Sequence, residues 1–147
     1  MFKVVIDTNL LIDGSVDSYN YGNRIIDAVI AGHIDAYVNR ATLAENRKVA
    51  PKKIEDPNYL NKLNYFFDVV KVVDRPTRVD VVEDKDDNKF VEVALEAKAD
   101  YIISADQHLL KLGKYKGIKV VRPVEFWNVY QDESGDGWGK WLKDFIN

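Results

Sequence analysis

Four acidic residues occur at positions where a small protein could bind a metal ion. Asp7 directly follows the apolar run 4–6, and Glu45 comes shortly after a second apolar run. Asp87 precedes a helical pattern, and Asp106 comes just after a third apolar run. Carboxylate oxygens are ligands that suit Mg²⁺ or Mn²⁺, and such an ion bridging carboxylates and a phosphate promotes phosphodiester hydrolysis. The acids therefore predict metal-assisted hydrolysis.

Each acid also has a structural interpretation when it is taken alone. Thr42 and Glu45 match a capping box, and Asp87 and Asp106 stand where helix N-caps are expected. Asp7 differs, because a carboxylate directly after core-facing apolar residues has no evident structural role. Four carboxylates within a few Å would repel each other by about 4 kcal/mol per pair at 4 Å and an effective dielectric constant of 20. A divalent cation removes that repulsion, so the group as a whole favours a metal site.

Other kinds of metal site fit the sequence less well. The chain has no cysteine, so a metal must be held by oxygen ligands or by His33 and His108. A calcium loop counted from Asp84 fails, because its sixth position is Lys89 instead of Gly and its twelfth is Leu95 instead of Glu. Both histidines fit structural or surface roles, since one lies in a predicted turn and the other near the start of a predicted helix.

The elements that must position the acids alternate between strands and helices. Short runs rich in Val, Ile and Tyr predict strands at 3–7, 35–39, 69–73, 101–104 and 118–121. Helical patterns lie between them at about 22–31, 42–50, 57–68, 88–98 and 107–112. This order predicts a three-layer α/β/α sandwich with a central parallel sheet of about five strands. Ligands bind such sheets at the carboxyl ends of the strands, so we expect all four acids at one edge.

Length and composition indicate one globular domain with a tail. The 147 residues are 46% hydrophobic and 31% charged, which excludes a disordered or membrane-embedded chain. The first apolar run is too short for a signal peptide or membrane span, so we expect a cytoplasmic protein. The net charge of −3 argues against a general polyanion binder, although a local basic cluster could still meet a phosphate backbone.

The tail at 131–147 contains a linker-like stretch and then a predicted amphipathic helix. Trp138, Trp141, Leu142 and Phe145 fall on one face of that helix. Two interpretations stay open: the helix closes over the core of residues 1–130, or it forms a contact with a second copy or a partner.

The acids and their neighbours resemble the PIN domain, a family of small α/β nucleases found in many toxin and RNA-processing proteins. The matching motifs run in order through the chain and are Asp7-Thr8-Asn9, Glu45, Asp84-Lys85-Asp86-Asp87-Asn88-Lys89-Phe90 and Ile103-Ser104-Ala105-Asp106-Gln107-His108-Leu109-Leu110. The subgroup most similar is the toxin component of bacterial toxin-antitoxin pairs. The resemblance implies a Rossmann-like nuclease domain over residues 1–130, with an antitoxin and a second copy of the chain as partners.

The resemblance also assigns roles to individual residues. The acids implied to bind one or two Mg²⁺ or Mn²⁺ ions and to orient water for attack on RNA are Asp7, Glu45, Asp87 and Asp106. The polar neighbours implied to hold the metal-bound water or the surrounding loop are Thr8, Asn9 and Ser104. Asp84 is the second choice for the third acid. Ala105 replaces the family's usual Gly, so its turn must avoid a left-handed conformation or be slightly strained.

Basic residues around the Glu45 helix could contact the RNA backbone. They are Arg40, Arg47, Lys48, Lys52 and Lys53. A solvated helix face explains the same residues equally simply.

Two other functions remain to be compared with the nuclease. Asp7 could act as the nucleophile of an aspartyl-phosphate enzyme, but the acid usual two residues later is replaced by Asn9. The chain could instead be a non-catalytic RNA-binding or protein-interaction module. The presence of all four acids argues against that, because a silent site does not need an electrostatically costly group.

Overall fold

The computed structural model describes residues 1–13, 20–74 and 78–135. Its strands are β1 (Lys3–Ile6), β2 (Asp35–Val38), β3 (Lys71–Val72), β4 (Tyr101–Ile103), β5 (Lys114–Tyr115) and β6 (Ile118–Val121). Its α-helices are α1 (Thr8–Asp13), α2 (Tyr21–Ile30), α3 (Arg40–Lys53), α4 (Pro57–Val69), α5 (Asn88–Ala97), α6 (Gln107–Leu110) and α7 (Pro123–Tyr130). A 3₁₀ turn (Lys85–Asp87) precedes α5, and a π-helical turn (Gln131–Gly135) follows α7. In the described ranges no helix has the length and apolar character needed to cross a membrane.

The strands form one sheet in the order β3-β2-β1-β4-β6-β5. β1 lies inside it and pairs in parallel with β2 through Val4 and Ala36, and with β4 through Val5 and Ile102. The predicted parallel sheet is confirmed. The antiparallel pairing of β5 with β6 adds a short sixth strand that the sequence did not predict. Because β1 and β4 are neighbours, the residues that follow them lie side by side at the carboxyl edge.

Helices cover both faces of the sheet, which confirms the three-layer arrangement. Val4 belongs to a buried cluster with Ile26 of α2 and Phe126 of α7. Val5 points to the opposite face and belongs to a second cluster with Val91 of α5. Each such side chain contributes about 1.5–3 kcal/mol when it is fully buried. A strand buried on both faces needs a continuous apolar run, which is why β1 ends abruptly at the first carboxylate.

Helix α3 is longer than predicted at both ends. The Asn39 side chain accepts a 2.6 Å hydrogen bond from the Thr42 N–H, so the helix begins at residue 40 and the predicted Thr42–Glu45 capping box is wrong. Pro51 lies inside the helix and does not end it. The Ile54 N–H donates to the Ala50 carbonyl at 3.0 Å, which closes the last turn beyond the proline.

The end of the described chain also differs from the prediction. Helix α7 was not predicted, although Pro123 at its first position and Glu125 accepting a hydrogen bond from the Arg122 N–H form a regular start signal. Residues 131–135 are a helical turn instead of a linker. The predicted tail helix, with Trp138, Trp141, Leu142 and Phe145, lies outside the described residues.

Candidate metal centre

Asp7 is a buried acid fixed at the end of β1. Its backbone N–H donates to the Ile103 carbonyl of β4 at 3.0 Å, which extends the parallel pairing by one residue. Its side-chain Oδ2 accepts a 2.7 Å hydrogen bond from the Ser104 hydroxyl, and Oδ1 accepts one of 3.1 Å from the Asn9 N–H. Only 3% of Asp7 is exposed. The carboxylate is therefore held in one orientation by Ser104, which follows β4, and by the first turn of α1.

The surroundings of Asp7 oppose its ionisation in water. Burial raises the pKa of the Asp7 carboxyl above its ordinary value, and the negative charge of Asp106 raises it further. The hydrogen bonds from Ser104 and Asn9 lower this pKa, as does the positive charge of Lys89, but they do not cancel the effect of burial. A cation at this position would stabilise the charged form that the protein alone disfavours.

Asp87 occupies the end of the 3₁₀ turn and faces the same negative charges. Burial, followed by the charges of Asp7, Asp84 and Asp106, raises the pKa of the Asp87 carboxyl to about 6. Its Oδ2 is buried and has no hydrogen-bond partner among the described residues. Asp87 precedes α5 but makes no side-chain cap bond, so its predicted role as a cap is wrong. An acid with an unsatisfied buried oxygen is free to bind a ligand.

Ser104 connects Asp7 to the turn that carries Asp106. Its hydroxyl donates to Asp7 and accepts a 2.9 Å hydrogen bond from the Asp106 N–H, and the residue is fully buried. Asp106 Oδ1 accepts from the His108 N–H at 2.7 Å, which confirms that this acid caps α6.

The backbone at Ala105 has no left-handed strain. In the described part of the chain, non-glycine residues with positive φ are confined to Lys98 and Lys116. Ala105 thus avoids the left-handed conformation, as predicted.

Glu45 lies on helix α3, outside the hydrogen bonds that orient Asp7 and Asp106. It is exposed on the second turn of α3, and the pKa shifts of Asp7 and Asp87 arise from other groups. Glu45 lines an adjacent cleft of about 520 Å³, together with Lys85 and Lys89. Because Asn39 caps α3, the capping explanation for Glu45 no longer holds. The arrangement leaves this acid facing solvent at the mouth of the site.

The aspartates are close enough to repel one another but do not form a closed set of ligands. Within residues 1–13, 20–74 and 78–135, no three His, Asp or Glu side chains stand ready to hold a metal ion. Mg²⁺ is compatible with such a site, because it retains several waters and binds proteins through one or two carboxylates. The oxygen donors, the repulsion among them and the unpartnered Asp87 Oδ2 fit a hard divalent cation.

The remaining predicted accessory residues have mostly structural contacts. Thr8 begins α1, and Asn9 contacts Asp7 through its backbone N–H. Asp84 Oδ1 accepts from the Asp86 N–H at 3.1 Å and caps the 3₁₀ turn. This contact favours Asp87 over Asp84 as the third acid.

Two residues that sequence reasoning missed hold or influence the acids. Asn88 is buried, and its Oδ1 accepts 3.0 Å hydrogen bonds from the Val81 and Val82 N–H groups. Its Nδ2 donates to the Lys85 carbonyl at 3.2 Å, so one amide fixes the approach to the 3₁₀ turn. The second residue is Lys89, which lowers the pKa of both Asp7 and Asp87. The signal for both was their position, directly after Asp87 in the first turn of α5.

The predicted basic group lies along α3. Arg40 pairs with Asp74 at 3.2 Å, and Arg47 pairs with Asp68 at 3.1 Å. The other members are exposed lysines, Lys48, Lys52 and Lys53. None of the five lines the cleft beside Glu45. Their contact with RNA stays a prediction.

The two histidine side chains have surface contacts. His108 Nδ1 lies 3.4 Å from a Glu83 carboxylate oxygen, and His33 Nδ1 lies 3.5 Å from the Tyr130 hydroxyl. Both residues are exposed. These positions agree with the structural or surface roles that we expected.

Comparison with known proteins identifies the family. A PIN domain model matches residues 3–108. The uncharacterized protein MJ1680 of Methanocaldococcus jannaschii is 35% identical over an alignment length of 138, and the match covers 84% of this chain and 88% of that protein. A chain in the crystal structure of VapBC2 from Rickettsia felis, bound to a DNA fragment from their promoter, has a similar fold, with a TM-score of 0.53 and 10% identity. That alignment covers 81% of this chain and 97% of the other. The chain belongs to the PIN domain family.

Proposed function

We propose that this protein is a Mg²⁺- or Mn²⁺-dependent endoribonuclease and the toxin of a toxin-antitoxin pair. The observation that carries the proposal is the group formed by Asp7, Asp87 and Asp106. Burial and the charge of Asp106 raise the pKa of Asp7, and burial and the charges of Asp7, Asp84 and Asp106 raise the pKa of Asp87. One buried Asp87 oxygen has no partner in the described chain. Such a group is unfavourable unless it binds protons or a cation.

The three aspartates would hold the cation, and Glu45 would act as the fourth acid from the adjacent cleft. When bound, the ion supplies Lewis-acid polarisation of the phosphate and lowers the pKa of a water molecule. Ser104 and the Asn9 N–H fix the orientation of Asp7 by occupying one acceptor direction on each oxygen. Asp106 is oriented by the His108 N–H at Oδ1, which leaves its Oδ2 for a ligand. The protein thus contributes preorganised acids at one edge of the sheet.

The biological part of the proposal rests on similarity. The motifs resemble toxin components, and the fold is like that of a chain in the VapBC2 complex. We therefore include an antitoxin as a partner, RNA as the substrate and a homodimer as the assembly. Because the proposed substrate is cellular RNA, we include the cytoplasm as the site of action.

The aspartyl-phosphate alternative has weaker support. Both Asp7 oxygens accept hydrogen bonds, and the side chain is almost fully buried. A nucleophile needs an exposed lone pair aimed at the phosphorus. This environment suits a carboxylate that binds a metal in a fixed orientation better than a carboxylate that acts as a nucleophile.

The decisive experiment compares RNA cleavage by the wild type, Asp7→Asn and Asp35→Asn proteins with Mg²⁺, Mn²⁺ or EDTA. Asp35 is a matched control because it begins β2 at the opposite edge of the sheet and pairs with Lys71 at 3.3 Å. We expect metal-dependent cleavage by the wild type and Asp35→Asn proteins and loss of cleavage in Asp7→Asn. RNA that stays intact with the wild type protein, or cleavage that persists in EDTA and in Asp7→Asn, contradicts the nuclease.

A further inference from the structure

Lys89 lies where the aspartate group meets the cleft that contains Glu45. It occupies the first turn of α5, two residues after Asp87. The other charged side chains that line the cleft are two cations, Arg78 and Lys85, and four acids, Glu45, Asp80, Asp86 and Glu92. The cleft volume of about 520 Å³ falls within the range of roughly 300–1,000 Å³ that is usual for small-ligand sites. A space of this size suits a nucleotide unit beside the acids.

The ammonium group of Lys89 forms no ion pair with any residue that the structure describes. Within the described ranges, the lysines that form ion pairs are Lys62, Lys71 and Lys111. The Lys89 Nζ instead lies 5.3 Å from the centroid of the Phe90 ring, and the residue is half-buried. A partly buried cation without a carboxylate partner is available to an anionic ligand.

The position of Lys89 is not fully explained by a role in neutralising the charges of the acids. Its charge lowers the pKa of Asp7 and of Asp87, but both values stay above their ordinary range. A counterion placed for stability would form a direct ion pair, and Lys89 forms none with a described residue. Its position beside both the acids and the cleft fits a group that contacts the substrate.

We propose that Lys89 binds a non-bridging oxygen of the scissile phosphate and stabilises the negative charge that develops during hydrolysis, while the cleft takes the adjoining nucleotide. This inference rests on the proposed nuclease function.

In hydrolysis the water oxygen forms a bond to phosphorus. The bond between phosphorus and one sugar oxygen breaks, and its electron pair stays on the sugar oxygen. One water proton ends on the leaving oxygen and the other on the new phosphate or in solvent. Lys89 keeps its three protons throughout and acts as a fixed positive charge.

Lys85 provides a matched control. It has the same charge, lines the same cleft and lies two residues before Asp87. Unlike Lys89, it is exposed and is not among the groups that shift the pKa of Asp7 or Asp87. Neutralising Lys85 therefore changes the cleft charge by the same amount, with a smaller effect on Asp7 and Asp87.

The first measurement is steady-state RNA cleavage, with RNA in excess, by the Lys89→Gln, Lys89→Arg and Lys85→Gln proteins. We expect kcat to fall on the order of 10²-fold in Lys89→Gln, as is typical when one electrostatic donor to a transition state is removed. Lys89→Arg should keep much more activity, and Lys85→Gln should keep kcat while raising KM slightly. Equal effects of Lys89→Gln and Lys85→Gln, or an unchanged kcat in Lys89→Gln, would overturn the inference.

The second measurement is the affinity for Mn²⁺ without RNA. Removing a positive charge near the aspartates should leave Mn²⁺ binding to Lys89→Gln unchanged or make it tighter. A Lys89 that only supports the acids structurally would lose metal affinity and thermal stability together, and that result counts against a substrate contact.

A wild type protein that does not cleave RNA refutes the proposed function, and a third measurement then decides the role of Lys89. In the Asp7→Asn background, binding of a short fluorescent single-stranded RNA in Mg²⁺ should weaken at least about tenfold with Lys89→Gln, while Lys85→Gln has a smaller effect. Equal affinities for the Lys89→Gln and parent proteins would refute the phosphate contact.

Discussion

The Ser104 hydroxyl donates a 2.7 Å hydrogen bond to Asp7 Oδ2 across the junction of β4 and β1, although 97 residues separate the two in the chain. The same hydroxyl accepts from the Asp106 N–H at 2.9 Å. One fully buried oxygen atom therefore sets the spacing between two of the proposed metal ligands. The contact exists because the two strands are parallel neighbours, so that the residues after Ile6 and Ile103 leave the sheet together.

Replacing Ser104 with alanine should disturb the site more than the fold. The change leaves the buried Asp7 carboxylate without one donor, which we expect to cost about 1–3 kcal/mol of the free energy of unfolding. Because the Ser104 hydrogen bond lowers the pKa of Asp7, its loss raises that pKa further. The acidic limb of the pH–activity profile should move to higher pH. Urea unfolding and a pH series of cleavage rates measure the two effects, and a profile that coincides with the wild type profile would contradict this role.

The metal-free protein should become less stable as the pH rises from about 4 to above 6. The pKa of Asp87 is about 6 in the folded protein against an ordinary value of 3.8, so the folded state binds the extra proton between these values. The stability that Asp87 contributes by binding this proton is fully present below its pKa in the unfolded protein. It is lost as the pH rises through its pKa in the folded protein. Asp7 acts in the same direction.

This linkage is measurable by urea unfolding in EDTA at pH 4.5 and pH 7.5. The wild type protein should lose more stability between these two conditions than Asp87→Asn, which cannot titrate at this position. Mg²⁺ should raise the melting temperature more at the higher pH, because there it competes with fewer protons. An Asp87→Asn protein with the same pH dependence as the wild type would show that Asp87 does not titrate in this range.

Local patterns were sufficient to predict the parts of this site that depend on strand ends. The apolar run before Asp7 required a strand buried on both faces, and parallel order then placed Asp7 and Asp106 at one edge. The proximity of Asp7 and Asp106 follows from this logic, whereas Asp87 lies in the 3₁₀ turn before α5 and does not follow a strand directly. The start of α3 does not follow from this logic, because the Asn39 side chain caps the helix two residues earlier than predicted and so puts Glu45 in its second turn.

Tertiary contacts determine what the sequence could not predict. The Asn88 amide bonds to backbone groups of Val81 and Val82 six and seven residues earlier, in a segment without regular structure. No periodic pattern marks such a contact. The position of Lys89 between the acids and the cleft likewise depends on how α5 packs against β1, which the pattern of apolar residues constrains only by face.

The four acids should differ in their importance for metal binding. Asp87→Asn and Asp106→Asn should each weaken Mn²⁺ binding more than tenfold, because they remove donors from the interacting group. Glu45→Gln should weaken it less, since Glu45 is exposed and does not contribute to the shifts of the neighbouring acids. Calorimetric titration of Mn²⁺ into each variant measures the order. A loss in Glu45→Gln as large as that in Asp87→Asn would mean that Glu45 is a direct ligand of equal weight.

Replacing Asn88 with alanine should release the segment that leads into the 3₁₀ turn. The Val81 and Val82 N–H groups would lose their shared acceptor, and Val82 itself is buried in the core beside α5. We expect a loss of about 1–3 kcal/mol in the free energy of unfolding for each buried group left unsatisfied, reduced where water can enter. Amide hydrogen exchange should accelerate at these two residues first, because the segment opens locally before the sheet does.

Asn58→Ala is a suitable control, since Asn58 is exposed in the first turn of α4, far along the chain from this segment. If exchange at Val81 and Val82 stays at the wild type rate in Asn88→Ala, other contacts hold this segment in place and the amide is not what positions Asp87.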